Sequence, residues 1–386
     1  MANSRRRRAS KRSHGNGGPE EWFPLQGWPR VGLALCGGGL LGVMYELGAL
    51  KALDEALEPE MSVSDIDMVV GTSAGAIVGM LLANGVKPAE ASRVVMENRR
   101  DPLNFHWTDV FLPPPETVAA ALAHEARKAA LAAGALLRGR VVDPVEVVEE
   151  MLPSGLLSLE PVRRYLGRLS EHRGFPAHFR DLPMAFWVTA LDLDTAERVL
   201  FGPGENQDVP VVDAVVASCA IPGVYAPVSL KGRELIDGGT GSAAHIDVLM
   251  HAGARTVVVV NPVVPIKNDR RRVCIPALDG TCASLRDRGV HTVIDQAFRI
   301  FNYNRLELGL ARFRASHPEV KVVRLEPDPA EMAAYAYNPM DYTHRKTMLE
   351  FGYNSTKAQL EDGKIRRALL RELKVPPAKG MRKGSN

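Results

Sequence analysis

Short, wholly apolar runs recur along the chain. Each stops at glycine or a turn residue, and a segment with apolar residues every three or four positions often follows. "VGLALC" (Val31–Cys36) is the first run. It reads as a strand covered on both faces. "GGGLLG" (Gly37–Gly42) comes next, then a helix through "VMYELGALKALDEAL". "IDMVVG" predicts the second strand and "AGAIVGMLLANG" a helix stopped near Gly85; Lys87-Pro88 opens another, to about Arg100. "MAFWVTALDL" and "ERVLF" predict two paired strands joined at Asp194–Ala196. "VVDAVVASCAIPG" predicts a helix ending at Pro222-Gly223, "LIDGG" a strand end and turn, and "TVVVVNP" (Thr256–Pro262) a buried strand. The last third is mostly helical, with one strand in "VKVVRL" (Val320–Leu325). Alternating strands and helices predict an α/β fold with a mainly parallel sheet.

Residues 101–180 break this rhythm. "FLPPPET" (Phe111–Thr117) is a breaker, and "VAAALAHEARKAALAAGALL" reads as an alanine-rich helix. "MLPSGLLSLEPVRRYLGRL" (Met151–Leu169) is apolar and helix-prone. The region is expected as a helical insertion, either a lid or a cover for one sheet face.

With 386 residues and 46% hydrophobic composition, the chain can bury a large core. The net charge is only +3, and basic blocks sit at the ends, in "SRRRRASKR" (Ser4–Arg12) and "KGMRK" (Lys379–Lys383). Residues 1–30 and 376–386 are therefore expected as basic, disordered tails. The arginines near the start are not followed by an apolar segment, so no signal peptide is expected. No run of 18 apolar residues predicts a spanning helix. Cys36, Cys219, Cys274 and Cys282 lack framework or zinc spacing, so reduced thiols and a cytoplasmic protein are expected. No nucleic-acid partner, cofactor or metal is predicted.

Three stations can carry chemistry. Gly37-Gly38-Gly39 ends a strand and opens a helix, where free N–H groups can hold an oxyanion or a phosphate. Gly37, Gly39 and Gly42 also fit G-x-G-x-x-G. The second strand, however, ends in Gly71-Thr72-Ser73 and not in the acidic residue a ribose needs. Ser73 sits in G-x-S-x-G between strand and helix, as a tight-packing turn or as a displayed nucleophile. Asp237, in "LIDGG", is either a turn residue or a base. In a parallel sheet the first two stations share the edge at the strand C-termini, where open α/β folds place their sites.

Taken together, "CGGGLLGVMYELGAL", "GTSAG", "ASCAIPGVYAPV" (Ala217–Val228) and "LIDGG", in this order, resemble the patatin-like phospholipase family. "VTALDLDTAERVLF" resembles that family's central hairpin, and the likeness spans about residues 31–265. It implies a three-layer α/β/α patatin-like fold for 31–265, with the helical insertion inside it. Residues 266–375 lie outside the likeness and are expected as a mainly helical C-terminal extension packed on it. It also implies a serine lipid acyl hydrolase with a Ser73–Asp237 dyad and an oxyanion hole from the N–H groups of Gly37, Gly38 and Gly39. Phospholipid or another acyl-ester lipid is the implied substrate, with peripheral membrane contact aided by the basic tails. The sequence departs from the family at Leu41, where Arg or Lys is usual, and at Ala243 and His245, where Asn and Pro are. His245 is either a local substitute for the usual Pro or packing filler, and filler is favoured. Two alternatives stand beside this reading. One is a Ser–Asp–His triad using His251, His291 or His344. The other is a patatin-fold lipid-binding protein without activity, which Leu41 favours and the retention of Ser73 and Asp237 opposes.

Overall fold

The computed structural model describes residues 30–111, 123, 126–127, 130, 134, 154–242, 244–271, 275, 281–331 and 337–374. Both basic tails, nearly all of the alanine-rich stretch, Ala243 and Cys274 lie outside these residues.

The first apolar run forms β1 (Arg30–Leu35). Its side chains alternate between two cores: Val31, Leu33 and Leu35 enter one, Ala34 the other. That division is why a continuous apolar run was needed. α1 (Gly39–Leu57) follows, then β2 (Met68–Thr72), α2 (Ala74–Ala83), α3 (Pro88–Glu97) and the single turn α4 (Thr108–Phe111). β3 (Gly155–Leu157) and α5 (Glu160–Arg173) lead to the antiparallel hairpin β4 (Ala185–Asp192) and β5 (Arg198–Phe201). Next come α6 (Val211–Ser218), β6 (Gly223–Tyr225), β7 (Val228–Leu230), β8 (Arg233–Asp237), α7 (Ile246–His251) and β9 (Ala254–Val260). The C-terminal region adds α8 (Val290–Ser316), β10 (Lys321–Leu325), α9 (Arg345–Leu360) and α10 (Lys364–Lys374).

Strands β10, β9, β1, β2 and β4 lie side by side and parallel. β7 and β8 extend the sheet in antiparallel fashion. The larger core lies between the sheet and α1, α2, α5, α6 and α9; the smaller one packs Leu249 of α7 and Leu306, Leu310 and Phe313 of α8 against the other face. The architecture is the expected three-layer α/β/α sandwich with a helical C-terminal extension.

β4 brings the two ends of interest together. β2 and β5 pair with the same residues, Val188 and Thr189, so they occupy opposite edges of β4. β5 and β8 likewise share Ala190 and Leu191. β2 and β8 therefore meet head to head along one edge. β2 ends at Thr72 opposite Thr189, and β8 ends at Asp237 opposite Ala190.

Three local expectations are corrected. Gly155–Leu157, expected in a helix-prone stretch, is a strand paired with Gly223–Tyr225. A Cβ at Gly155 would lie 2.1 Å from the Ala226 nitrogen, and this crowding favours extended pairing of a glycine backbone. The helix expected to reach Pro222-Gly223 stops at Ser218, because the chain must turn there to leave through β6. Cys282 is disulfide-bonded and not a reduced thiol, and its partner lies outside the described residues. A single cross-link in so long a chain leaves no framework spacing to read. Cys36 and Cys219 are free and buried. Among the described residues no helix is long and apolar enough to cross a membrane.

Candidate active site

Ser73 stands on the turn from β2 into α2 with φ 56° and ψ −125°, a conformation that costs a non-glycine residue energy. Its two glycines are required by packing. A Cβ at Gly71 would lie 2.5 Å from the Gly75 carbonyl oxygen, and one at Gly75 would lie 2.4 Å from that of Leu35. The turn can therefore be this sharp only with glycine on both sides. The Ser73 N–H donates to Ser218 Oγ at 2.8 Å, and the Ser218 hydroxyl donates to the Thr189 carbonyl at 2.6 Å. The Thr72 and Thr189 hydroxyls pair at 2.9 Å. This buried lattice over-determines the strained turn. Ser218 lies in the Ala217–Val228 motif and Thr189 in the hairpin motif, but neither motif points to a role for them at the serine turn.

The Asp237 carboxyl is buried beside Ser73, whose side chain favours its ionised form. The Gly239 N–H donates to Asp237 Oδ1 at 2.8 Å, and the Asp237 N–H donates to the Ala220 carbonyl at 2.9 Å. Burial pushes the Asp237 pKa from 3.8 up to about 6, against the opposing pull of Ser73 and Gly239. The carboxylate is thus ionised at neutral pH yet a stronger base than an exposed aspartate.

The glycine loop lies directly on this pair. A side chain at Gly37 would come within 2.9 Å of Ser73 Cβ. Gly37 donates its N–H to Glu46 Oε1 at 3.1 Å. Among the described residues no acceptor takes the N–H of Gly38 or Gly39. Of the three glycines expected as oxyanion donors, these two are free at the first turn of α1. Glu46 lies on α1, fully buried, with Oε2 lacking a partner among the described residues. Burial raises its pKa well above the carboxylate range, which favours the neutral acid; the Gly37 and Cys36 N–H groups oppose the shift. Leu41 is buried, and its N–H donates to the Pro339 carbonyl at 2.9 Å. The C-terminal region therefore closes over the loop, which the sequence did not suggest.

His245 is not filler. It is buried beneath the aspartate turn, with Nε2 3.4 Å from the Gly238 carbonyl and Nδ1 3.3 Å from the Arg198 guanidinium. Burial, then Arg198, lower its pKa to about 4, so the ring is neutral. Its contact with Gly238 supports the turn that Pro usually stiffens. Among the described residues no histidine bonds to Ser73 or Asp237. His344 is engaged with Asp341 at 2.6 Å, and His251 and His291 are exposed.

An apolar cavity opens beside Ser73. Leu40, Met44, Ile77, Leu81, Leu103 and Val162 line it, with Tyr165 and Asp109 as polar points on its wall. Among the described residues no cluster of side chains could hold a metal.

A strained serine, a glycine loop and a buried aspartate thus meet at the strand C-termini of an α/β/α sandwich. The model of the patatin-like phospholipase family matches residues 33–250, more than half of the chain, and the chain belongs to that family. Uncharacterized NTE family proteins of Mycobacterium tuberculosis and Mycobacterium bovis are 30% identical over 211 residues, 55% of this chain and 43% of each relative. The chain thus spans less than half the length of these curated relatives. Among solved structures it is similar to VipD from Legionella pneumophila, with 16% identity, 87% of this chain, 67% of that chain and a TM-score of 0.37. It is also similar to the type III effector ExoU, with 15% identity, coverages of 86% and 53%, and a TM-score of 0.35.

Proposed function

We propose that the protein is a serine acyl hydrolase that cleaves fatty-acyl esters, phospholipids among them, through an acyl-enzyme on Ser73. The observation that carries this is Ser73, strained on its turn and lining an apolar cavity, beside a buried Asp237. Ser73 Oγ attacks the ester carbonyl carbon, and Asp237 takes its proton. The N–H groups of Gly38 and Gly39 hold the oxyanion that forms. The bond to the leaving alcohol breaks, and Asp237 returns the proton to that oxygen. Water then attacks the acyl-Ser73 ester with Asp237 again as base. Fatty acid leaves, and Ser73 regains its hydrogen. A carboxylate is a weak base for an alcohol. Its raised pKa and the dry wall of the cavity partly offset this.

Acyl esters of graded length, soluble and vesicle-borne, test the reading by fatty-acid release. Wild type is expected to turn over long-chain esters, and Ser73→Ala or Asp237→Asn to lose at least about a thousandfold in kcat, the scale of losing a nucleophile or its base. Undiminished release by Ser73→Ala would end it.

A further inference from the structure

Six of the large hydrophobic side chains that the described molecule exposes lie on α8 between residues 290 and 301. Val290 is 74% exposed, Val293 48%, Ile294 64%, Phe298 37%, Ile300 44% and Phe301 55%. At 100° per residue, they and Leu308, itself 54% exposed, occupy one broad arc of the helix. The opposite arc carries the buried Arg299, Leu306, Leu310 and Phe313. α8 is thus apolar on both sides, and only one side has a partner within the described chain.

The position of this face is fixed by hydrogen bonds. Gln296 pairs with the Ile266 backbone at 3.0 and 2.9 Å. Arg299 donates to the Pro262 and Val264 carbonyls, and Arg305 to that of Thr240. Those acceptors lie in the segments that leave the C-terminal ends of β9 and β8. Pro262 is also beside Gly38, where a Cβ would lie 3.2 Å from its ring. The N-terminal half of α8 therefore projects past the sheet at the edge that holds Ser73 and Asp237.

Charge selects the occupant. Arg305 and Arg312 lie in the exposed arc, with Arg305 5.1 Å above the Phe301 ring. Arg286, 89% exposed and 3.5 Å from Asp287, precedes the helix. Both carboxylates of α8 are held by arginines, Asp295 by Arg299 and Glu307 by Arg324. An apolar arc flanked by cations, with no free carboxylate, fits an anionic lipid surface. A two-fold contact with a second copy would bring arginines together with no acid to pair them.

We propose that the exposed face of α8 docks the protein on anionic membrane surfaces and so presents the Ser73 edge to lipid. The proposal rests on the lipid hydrolase reading for its purpose but not for its test. Ser73→Ala, which consumes no lipid, is sedimented with phosphatidylcholine vesicles and with vesicles that also contain phosphatidylglycerol. Preferential, salt-weakened binding to the latter is expected. Adding Ile294→Asp and Phe301→Asp should weaken that binding at least about tenfold. Melting should be unchanged, since both side chains are exposed. Arg312→Gln, a milder change, should weaken binding about fivefold. Equal binding by the aspartate variant, or no binding by the parent, would overturn the proposal. So would a parent that light scattering shows to be a dimer and that the two aspartates make monomeric, because a second copy then covers the face. Vesicle binding without fluorophosphonate labelling of the Ser73 form would sink the hydrolase reading alone. Labelling without vesicle binding would sink the docking face alone.

Discussion

Asp237 carries opposing demands on one side chain. Its folded pKa of about 6 lies above its ordinary value of 3.8, so the folded protein holds this proton more tightly than the unfolded chain does. The associated stability is fully present below about pH 4 and is lost as pH rises through 6. The proposed catalysis needs the opposite state, the free carboxylate. Activity should therefore fall as pH drops below about 6, with a single acidic limb in kcat. Asp237→Asn should abolish activity yet raise the melting temperature at pH 8 by roughly 2–4 °C, the gain shrinking towards pH 4. Calorimetry across that range checks the sign; an asparagine variant less stable at pH 8 than at pH 4, relative to wild type, contradicts it. Glu46 acts at one remove, by holding the Gly37 N–H. Glu46→Gln keeps an acceptor and should hold kcat within about threefold, whereas Glu46→Ala orphans that N–H and should cost about tenfold in kcat with KM little changed. A glutamine variant as impaired as the alanine one would mean that the carboxyl does more than position the loop.

At the scale of elements, the crossing of α1 and α9 fixes the glycine loop from behind. A Cβ at Gly48 would lie 2.1 Å from the Leu349 carbonyl oxygen, and one at Gly352 would lie 2.3 Å from that of Tyr45. The helices touch backbone to backbone. Either glycine changed to alanine should cost about 1–3 kcal/mol in denaturant unfolding through overpacking. Gly309→Ala, on α8 with open space around it, should instead stabilise by about 0.5–1 kcal/mol. This crossing was not legible in the sequence, although both helices were. Periodicity locates a helix but not its partner. β1, β2 and β9 were legible for the same local reason, as unbroken apolar runs ended by turns. β3 and β6 were not, since three-residue strands carry no period and owe their existence to each other. The site divides likewise. The turn of Ser73 and its glycines stand in one short motif, and the Asp237 turn in another. Their supports Ser218, Thr189 and His245, and the Pro339 carbonyl on Leu41, come from distant parts of the chain that only folding brings near.

At the scale of the whole molecule, the proposed reading makes the apolar cavity, the strand C-termini and the projecting half of α8 one working side. Ile77 lines the cavity one turn along α2 from Ser73. Ile77→Phe should shorten the acyl chain the site accepts. The ratio of kcat/KM for palmitoyl over butyryl p-nitrophenyl ester should fall about tenfold, the scale of a few methylenes of lost pocket. An unchanged ratio would place the acyl chain elsewhere. The central claim is that Ser73 is a nucleophile activated by Asp237. Treatment with a fluorophosphonate ester, followed by intact-mass measurement and peptide mapping, tests it most directly. A single adduct on Ser73 in wild type, absent in Ser73→Ala and strongly slowed in Asp237→Asn, is the predicted result. A folded wild type that takes no adduct, or an Asp237→Asn variant labelled at the wild-type rate, would contradict it.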